Sequence, residues 1–93
     1  MREVEFVRVA KQIVTNYTNE HTDKTDDASC TMDDVYIVWQ VRALQNYKAL
    51  LSTALPDGMY YEVTYNGDKA EIYLDAYKKF ENRAIVMPKE GTR

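Results

Sequence analysis

The chain has 93 residues, of which 45% are hydrophobic and 29% charged, and its formal net charge is −3. That length fits a single domain over 1–93 with a modest core, and three glycines and two prolines are too few for a disordered or low-complexity chain. An acidic balance disfavours a duplex-DNA binder, which needs a basic stripe, and no apolar run approaches the roughly 18 residues that span a bilayer.

The chain opens Met1-Arg2-Glu3-Val4-Glu5, with no apolar segment of signal-peptide type, and its lone Cys30 has no internal disulfide partner. A cytoplasmic location is the resulting expectation. Residues 3–21 read as a helix: Val4, Phe6, Val7, Val9, Ala10, Ile13, Val14 and Tyr17 share one broad arc, opposite Arg8, Gln12, Thr15 and Asn16. Residues 22–30 are polar and aperiodic, a loop. A second helix is predicted over 32–54. Thr31 can cap it, Asp34 completes an acidic capping box, and Asp33 and Asp34 suit the first turn. Its wheel carries Ile37, Val41, Leu44 and Leu51 beside Tyr36, Ala43, Tyr47 and Leu50, with Trp39 at the margin. Such a wide arc marks a central element. Gln40 and Lys48 fall inside that arc. Either Lys48 snorkels and Gln40 bonds a backbone group, or the pair lines a groove where a partner docks.

Leu55-Pro56-Asp57-Gly58 is a turn, and strict alternation follows it. Met59, Tyr61, Val63 and Tyr65 point one way over strand 59–65. Ala70, Ile72, Leu74 and Ala76 do so over strand 69–77, and Asn66-Gly67 signals a hairpin between them. A two-residue loop places Glu62 opposite Glu71; a four-residue loop from Asn66 to Lys69 places it opposite Tyr73. Residues 78–82 are a break or a helical turn, 83–87 are apolar enough for a third strand, and 88–93 form a tail. The fold class is α+β: two N-terminal helices packed on one face of an antiparallel sheet of two or three strands.

Few constellations carry chemistry. Asp23 to Asp34 spaces acids as a calcium loop does, but Ala28 stands where the sharp turn needs glycine; a solvated loop explains it better. One His and one Cys cannot close a transition-metal site. Cys30 with His21 lacks an orienting third group, so catalysis is not expected, and no motif calls for a cofactor or a metal. The outer sheet face carries Tyr60, Tyr73 and Tyr77, with Lys69 nearby. Three readings stay open for it: a stacking platform for single-stranded nucleic acid, a protein-binding hot spot, or ordinary cross-strand tyrosine pairs.

Three runs carry a resemblance: Val35-Tyr36-Ile37-Val38-Trp39, Ala43-Leu44-Gln45-Asn46-Tyr47-Lys48-Ala49-Leu50-Leu51-Ser52-Thr53, and Pro56-Asp57-Gly58-Met59-Tyr60-Tyr61-Glu62-Val63-Thr64-Tyr65-Asn66-Gly67-Asp68. They resemble an uncharacterised family of small proteins encoded by phages and prophages of low-GC Gram-positive bacteria. The resemblance carries over no functional residue. It implies a setting, the cytoplasm of an infected bacterium. There a small acidic protein acts without catalysis, by stoichiometric binding to a host protein, such as a CRISPR nuclease or another defence effector. The rival expectation is single-stranded nucleic-acid binding, with Tyr60, Tyr73 and Tyr77 stacking bases and Lys69, Lys78 and Lys79 contacting phosphates. No membrane partner is expected, and homo-oligomerisation is left open.

Overall fold

A computed structural model describes residues 1–21 and 29–89. One helix, α1 (Glu3–Glu20), precedes four strands: β1 (Val35–Ala43), β2 (Asn46–Thr53), β3 (Met59–Asn66) and β4 (Glu71–Lys78). The strands form one antiparallel sheet in the order β1-β2-β3-β4. The class is α+β, as expected, but with one helix and four strands. Among the described residues no helix is long and apolar enough to cross a membrane.

Helix α1 follows its sequence pattern along one stripe, but Val4, expected on the apolar arc, is exposed, and Thr15, expected opposite it, is buried with its hydroxyl donating to the Lys11 carbonyl at 2.8 Å. Phe6, Ala10 and Val14 recur every four residues, and all three are buried. This stripe packs on Ala49 and Leu51 of β2 and on Tyr61 and Val63 of β3. Phe6 stacks on Tyr47 at 5.1 Å between ring centroids, and Tyr17 meets Tyr61 edge-on at 5.6 Å. Asn19 closes the far end: its side chain donates to the Cys30 carbonyl (2.9 Å) and accepts from the Cys30 N–H (2.8 Å).

The expected second helix over 32–54 is not there. Thr31 and Asp34 do bond each other, the Thr31 N–H donating to the Asp34 carboxylate at 2.8 Å, but they close only a single 3-10 turn, Met32–Asp34. The chain then extends into β1. The reason is compositional: Val-Tyr-Ile-Val-Trp-Gln-Val is rich in β-branched and aromatic residues, which favour the pleated surface. Pairing supplies the rest. With β2 in place, both edges of β3 satisfy their backbone groups, whereas a lone 59–78 hairpin would be marginal. In β2, Tyr47, Ala49, Leu51 and Thr53 are buried at strict period two. Leu44, expected in the core, is 84% exposed at the hairpin tip.

The hairpin between β3 and β4 is where the sequence placed it, in a different register. Asn66 pairs with Glu71 across a turn of residues 67–70, so Glu62 lies opposite Asp75 rather than Glu71 or Tyr73. The turn is shaped by its neighbour. The Gly67 N–H donates to the Asn46 side chain at 2.9 Å, and the Gln45 amide donates to the Asp68 carboxylate. A Cβ on Gly67 would lie 2.4 Å from the Gln45 carbonyl oxygen, so glycine is needed here for close approach. The expected third strand at 83–87 is also absent: residues 79–89 leave the sheet as an exposed segment without regular structure.

Leu50 and Leu51 separate the two secondary-structure readings. Leu51 is fully buried and Leu50 is half-buried on the opposite face. Leu51→Ala is expected to cost about 2–5 kcal/mol and Leu50→Ala about 1 kcal/mol or less, measured by urea unfolding. Equal losses would contradict the strand.

Candidate functional site

The face of the sheet away from α1 has no covering layer among the described residues. Its side chains follow from the register, since directly paired residues share a face. Three rows cross all four strands. The first runs Tyr36, Ser52, Tyr60, Tyr77; the second runs Trp39, Leu50, Glu62, Asp75; the third runs Val41, Lys48, Thr64, Tyr73. Five aromatic rings thus share one open surface. Tyr36, Trp39, Tyr73 and Tyr77 are each between 43% and 52% exposed. Singly exposed apolar residues are ordinary, whereas a set of this kind on one face makes that face a candidate contact surface.

A β-bulge puts the tryptophan there. The register of β1 shifts between Ile37 and Trp39, with Val38 as the extra residue. Before the bulge, Val35 and Ile37 face the helix. After it, Gln40 and Arg42 do, and Trp39 and Val41 turn to the open side. On the helix side the Gln40 amide donates to the Glu3 carboxylate, and the Arg42 guanidinium sits 5.4 Å from the Tyr47 ring centroid.

The charges on the open face are mixed, with an acidic excess. Lys48 pairs with Glu62 at 3.6 Å. Glu62 also lies directly opposite Asp75, a like-charge pair that Lys48 offsets on one side only. At the turn end the Tyr73 hydroxyl donates to the Glu71 carboxylate, which pushes the phenol pKa up.

The structure gathers some of the sequence-predicted site residues and separates others. Tyr60 and Tyr77 are direct cross-strand partners, with Tyr73 and Lys48 together in the row two away. Gln40 is on the other face, so Gln40 and Lys48 line no common groove. Lys69 sits in the exposed turn, off the face. Lys78 pairs with Met59, on the helix side, where it borders a cleft with His21, Asp57 and Tyr61. Lys79 follows β4, its N–H donating to the Gly58 carbonyl at 2.7 Å. Tyr36, Trp39, Val41 and Leu50 were not anticipated on this face; their β-branched and aromatic surroundings were the available signal.

The remaining chemical readings find little geometry. His21 stacks on Tyr17 at 4.0 Å, with Nδ1 2.8 Å from the Tyr17 carbonyl oxygen, while the Cys30 thiol reaches the Thr31 carbonyl at 3.6 Å. Among the described residues no three His, Cys, Asp or Glu side chains gather as metal ligands. Residues 23–28, half of the acidic 23–34 segment considered for calcium, lie outside the described residues.

The model of a family of unknown function, DUF6275, matches residues 7–87. No curated protein and no solved structure matches.

Two buried acids give the fold a pH signature. Burial pushes the Cys30 thiol up, with Asp34 and Asp57 adding to it, and burial likewise raises the Tyr61 phenol. Both raised values mean that the folded chain holds its protons longer than the unfolded one. Their stabilisation is complete below the unfolded values and is lost as pH rises through the folded ones. Unfolding free energy is therefore expected to fall above about pH 9, with a shallower slope in Cys30→Ala and Tyr61→Phe. A thiol reagent at neutral pH should modify Cys30 only on unfolding. Free reaction in the native protein, or a flat alkaline limb, would contradict this.

Proposed function

This chain belongs to the DUF6275 family, and we propose that it is a non-enzymatic binding module whose open sheet face seats a protein partner. The observation that carries the reading is the row-by-row composition of that face: five aromatic rings share it with Leu50 and Val41, and the carboxylates Glu62 and Asp75 lie in its middle row. Tyrosine and tryptophan supply large, stiff contact area at low entropic cost, and they dominate binding energy at protein interfaces.

Charge selects the kind of partner. Glu62, Asp75 and Glu71 oppose a polyanion, and the only lysine among the rows, Lys48, is already paired to Glu62. Lys69 sits in the turn and Lys78 on the helix side, while Lys79 is exposed just past the end of β4. A single-stranded nucleic acid therefore meets rings with three carboxylates and few cations beside them, whereas a protein segment bearing Lys or Arg beside apolar side chains is complemented on both counts. The resemblance to phage-encoded proteins supports a proposed location, the cytoplasm of a bacterial host, and a proposed partner class, a host protein bound stoichiometrically. An inhibitor of host defence fits that class best. An acidic module can occupy a basic nucleic-acid channel and gain association rate from charge steering.

The test is capture from host cells with wild type and Tyr36→Ala/Trp39→Ala in parallel, and with Arg8→Ala as a control on the exposed side of α1. Both face residues are about half exposed, so the variant keeps the core. A host protein enriched by wild type and Arg8→Ala, and lost at least about tenfold with the face variant, is the expected result. Recovery of the same proteins by all three baits would overturn it. So would tight binding of a fluorescent oligonucleotide that Tyr60→Ala/Tyr73→Ala abolishes.

A further inference from the structure

Residues 79–89 leave the end of β4 as an arm, and every residue in it is exposed. The arm is not polar. Phe80 is 99% exposed and Val86 93%, with Ile85 and Met87 at about three-quarters. An apolar run of this kind has no reason to stand in water unless a surface receives it. The arm is also basic, with Lys79, Arg83 and Lys89 against Glu81, so the body it leaves is more acidic than the net −3 of the whole chain.

The open face has the opposite character. It is a four-strand surface of half-exposed rings, and of the paired carboxylates Glu62 and Asp75, Glu62 has the Lys48 ammonium at 3.6 Å. Resting on the reading of that face as a protein-binding surface, we propose that it receives the arm of a second copy of this chain. The result is a two-fold dimer by reciprocal arm exchange.

Two observations favour a second copy over the chain's own face. The arm does not rest on that face in the monomer, since Phe80 and Val86 are almost fully exposed. Its root is fixed by the Lys79 N–H bond to the Gly58 carbonyl, which holds it on course as β4 ends. Reach is ample in the outward direction: eleven extended residues span at most about 36 Å, whereas the outer strands of a four-strand sheet lie only about 14 Å apart. The arm of a neighbour can therefore cross every row, placing Ile85, Val86 and Met87 among the rings and Arg83 near Glu62 and Asp75. Two-fold symmetry doubles each contact and consumes both arms and both faces, so the assembly closes. A host partner of similar chemistry would compete for the same face.

The experiment is sedimentation velocity on the full chain from low to hundreds of micromolar, with emission from Trp39, the only tryptophan, followed over the same range. Wild type should pass from monomer to dimer as the emission shifts to the blue. Val86→Asp/Met87→Asp in the arm and Tyr36→Ala/Trp39→Ala in the face should each weaken dimerisation by at least about tenfold. Both change exposed residues, so folding is retained, as far-UV circular dichroism would confirm. Mixed together, the two variants should form a heterodimer through the one intact arm and the one intact face. A wild type that stays monomeric throughout, or a dimer indifferent to the arm variant, overturns the proposal. If wild type is monomeric while the face variant still loses its captured host protein, arm exchange fails and the binding face stands. If face variants change neither, both fail.

Discussion

One helix can cover only one face of a sheet, and this chain supplies one helix for four strands. The Phe6, Ala10 and Val14 stripe meets Ala49, Leu51, Tyr61 and Val63, and that contact commits the buried stripe of α1 to one face. The other face must then be tolerable in water or be covered from outside. Its composition fits that constraint. Tyrosine, threonine and a Lys48–Glu62 pair keep it wettable, yet Trp39, Leu50 and Val41 leave it too apolar for a surface without a role. The open face is in this sense a consequence of the count of layers.

The elements legible in the sequence were those with one strong period and an ordinary boundary. Helix α1 showed a single stripe. The β3–β4 hairpin showed strict alternation between a Pro-Asp-Gly turn and an Asn-Gly turn, so its inward and outward sets were assigned correctly even though its register was not. The register turned on tertiary contacts: Gly67 is pressed against Gln45 of the neighbouring hairpin tip, and Ala70, not a glycine, takes the left-handed position at φ +52. Nothing local to residues 66–71 encodes that neighbour.

Residues 32–54 were misread for two physical reasons. A strand pair that buries one side and keeps rings on the other has apolar residues at most positions, and on a helical wheel these spread into a wide arc. The hairpin tip also lacks turn chemistry. Leu44 adopts φ +57, a conformation that Gly or Asn would have announced, and Gln45 follows it. Half of the candidate face was lost with that assignment. Tyr60, Tyr73 and Tyr77 could be found from period-two alternation. Tyr36, Trp39 and Val41 could not, because even a correct strand assignment needs the Val38 bulge to turn Trp39 and Val41 outward.

Everything proposed about the open face depends on residues 35–53 being a hairpin that completes the sheet. Nuclear Overhauser effects in uniformly labelled protein test this most directly. A hairpin gives strong cross-strand contacts at the Tyr36–Ser52 and Val41–Lys48 pairs, and between the β2–β3 partners Leu50 and Glu62, with amides in β2 and β3 slow to exchange. Consecutive amide–amide contacts and i to i+3 contacts running from residue 35 to residue 53 would contradict it, and with it the face.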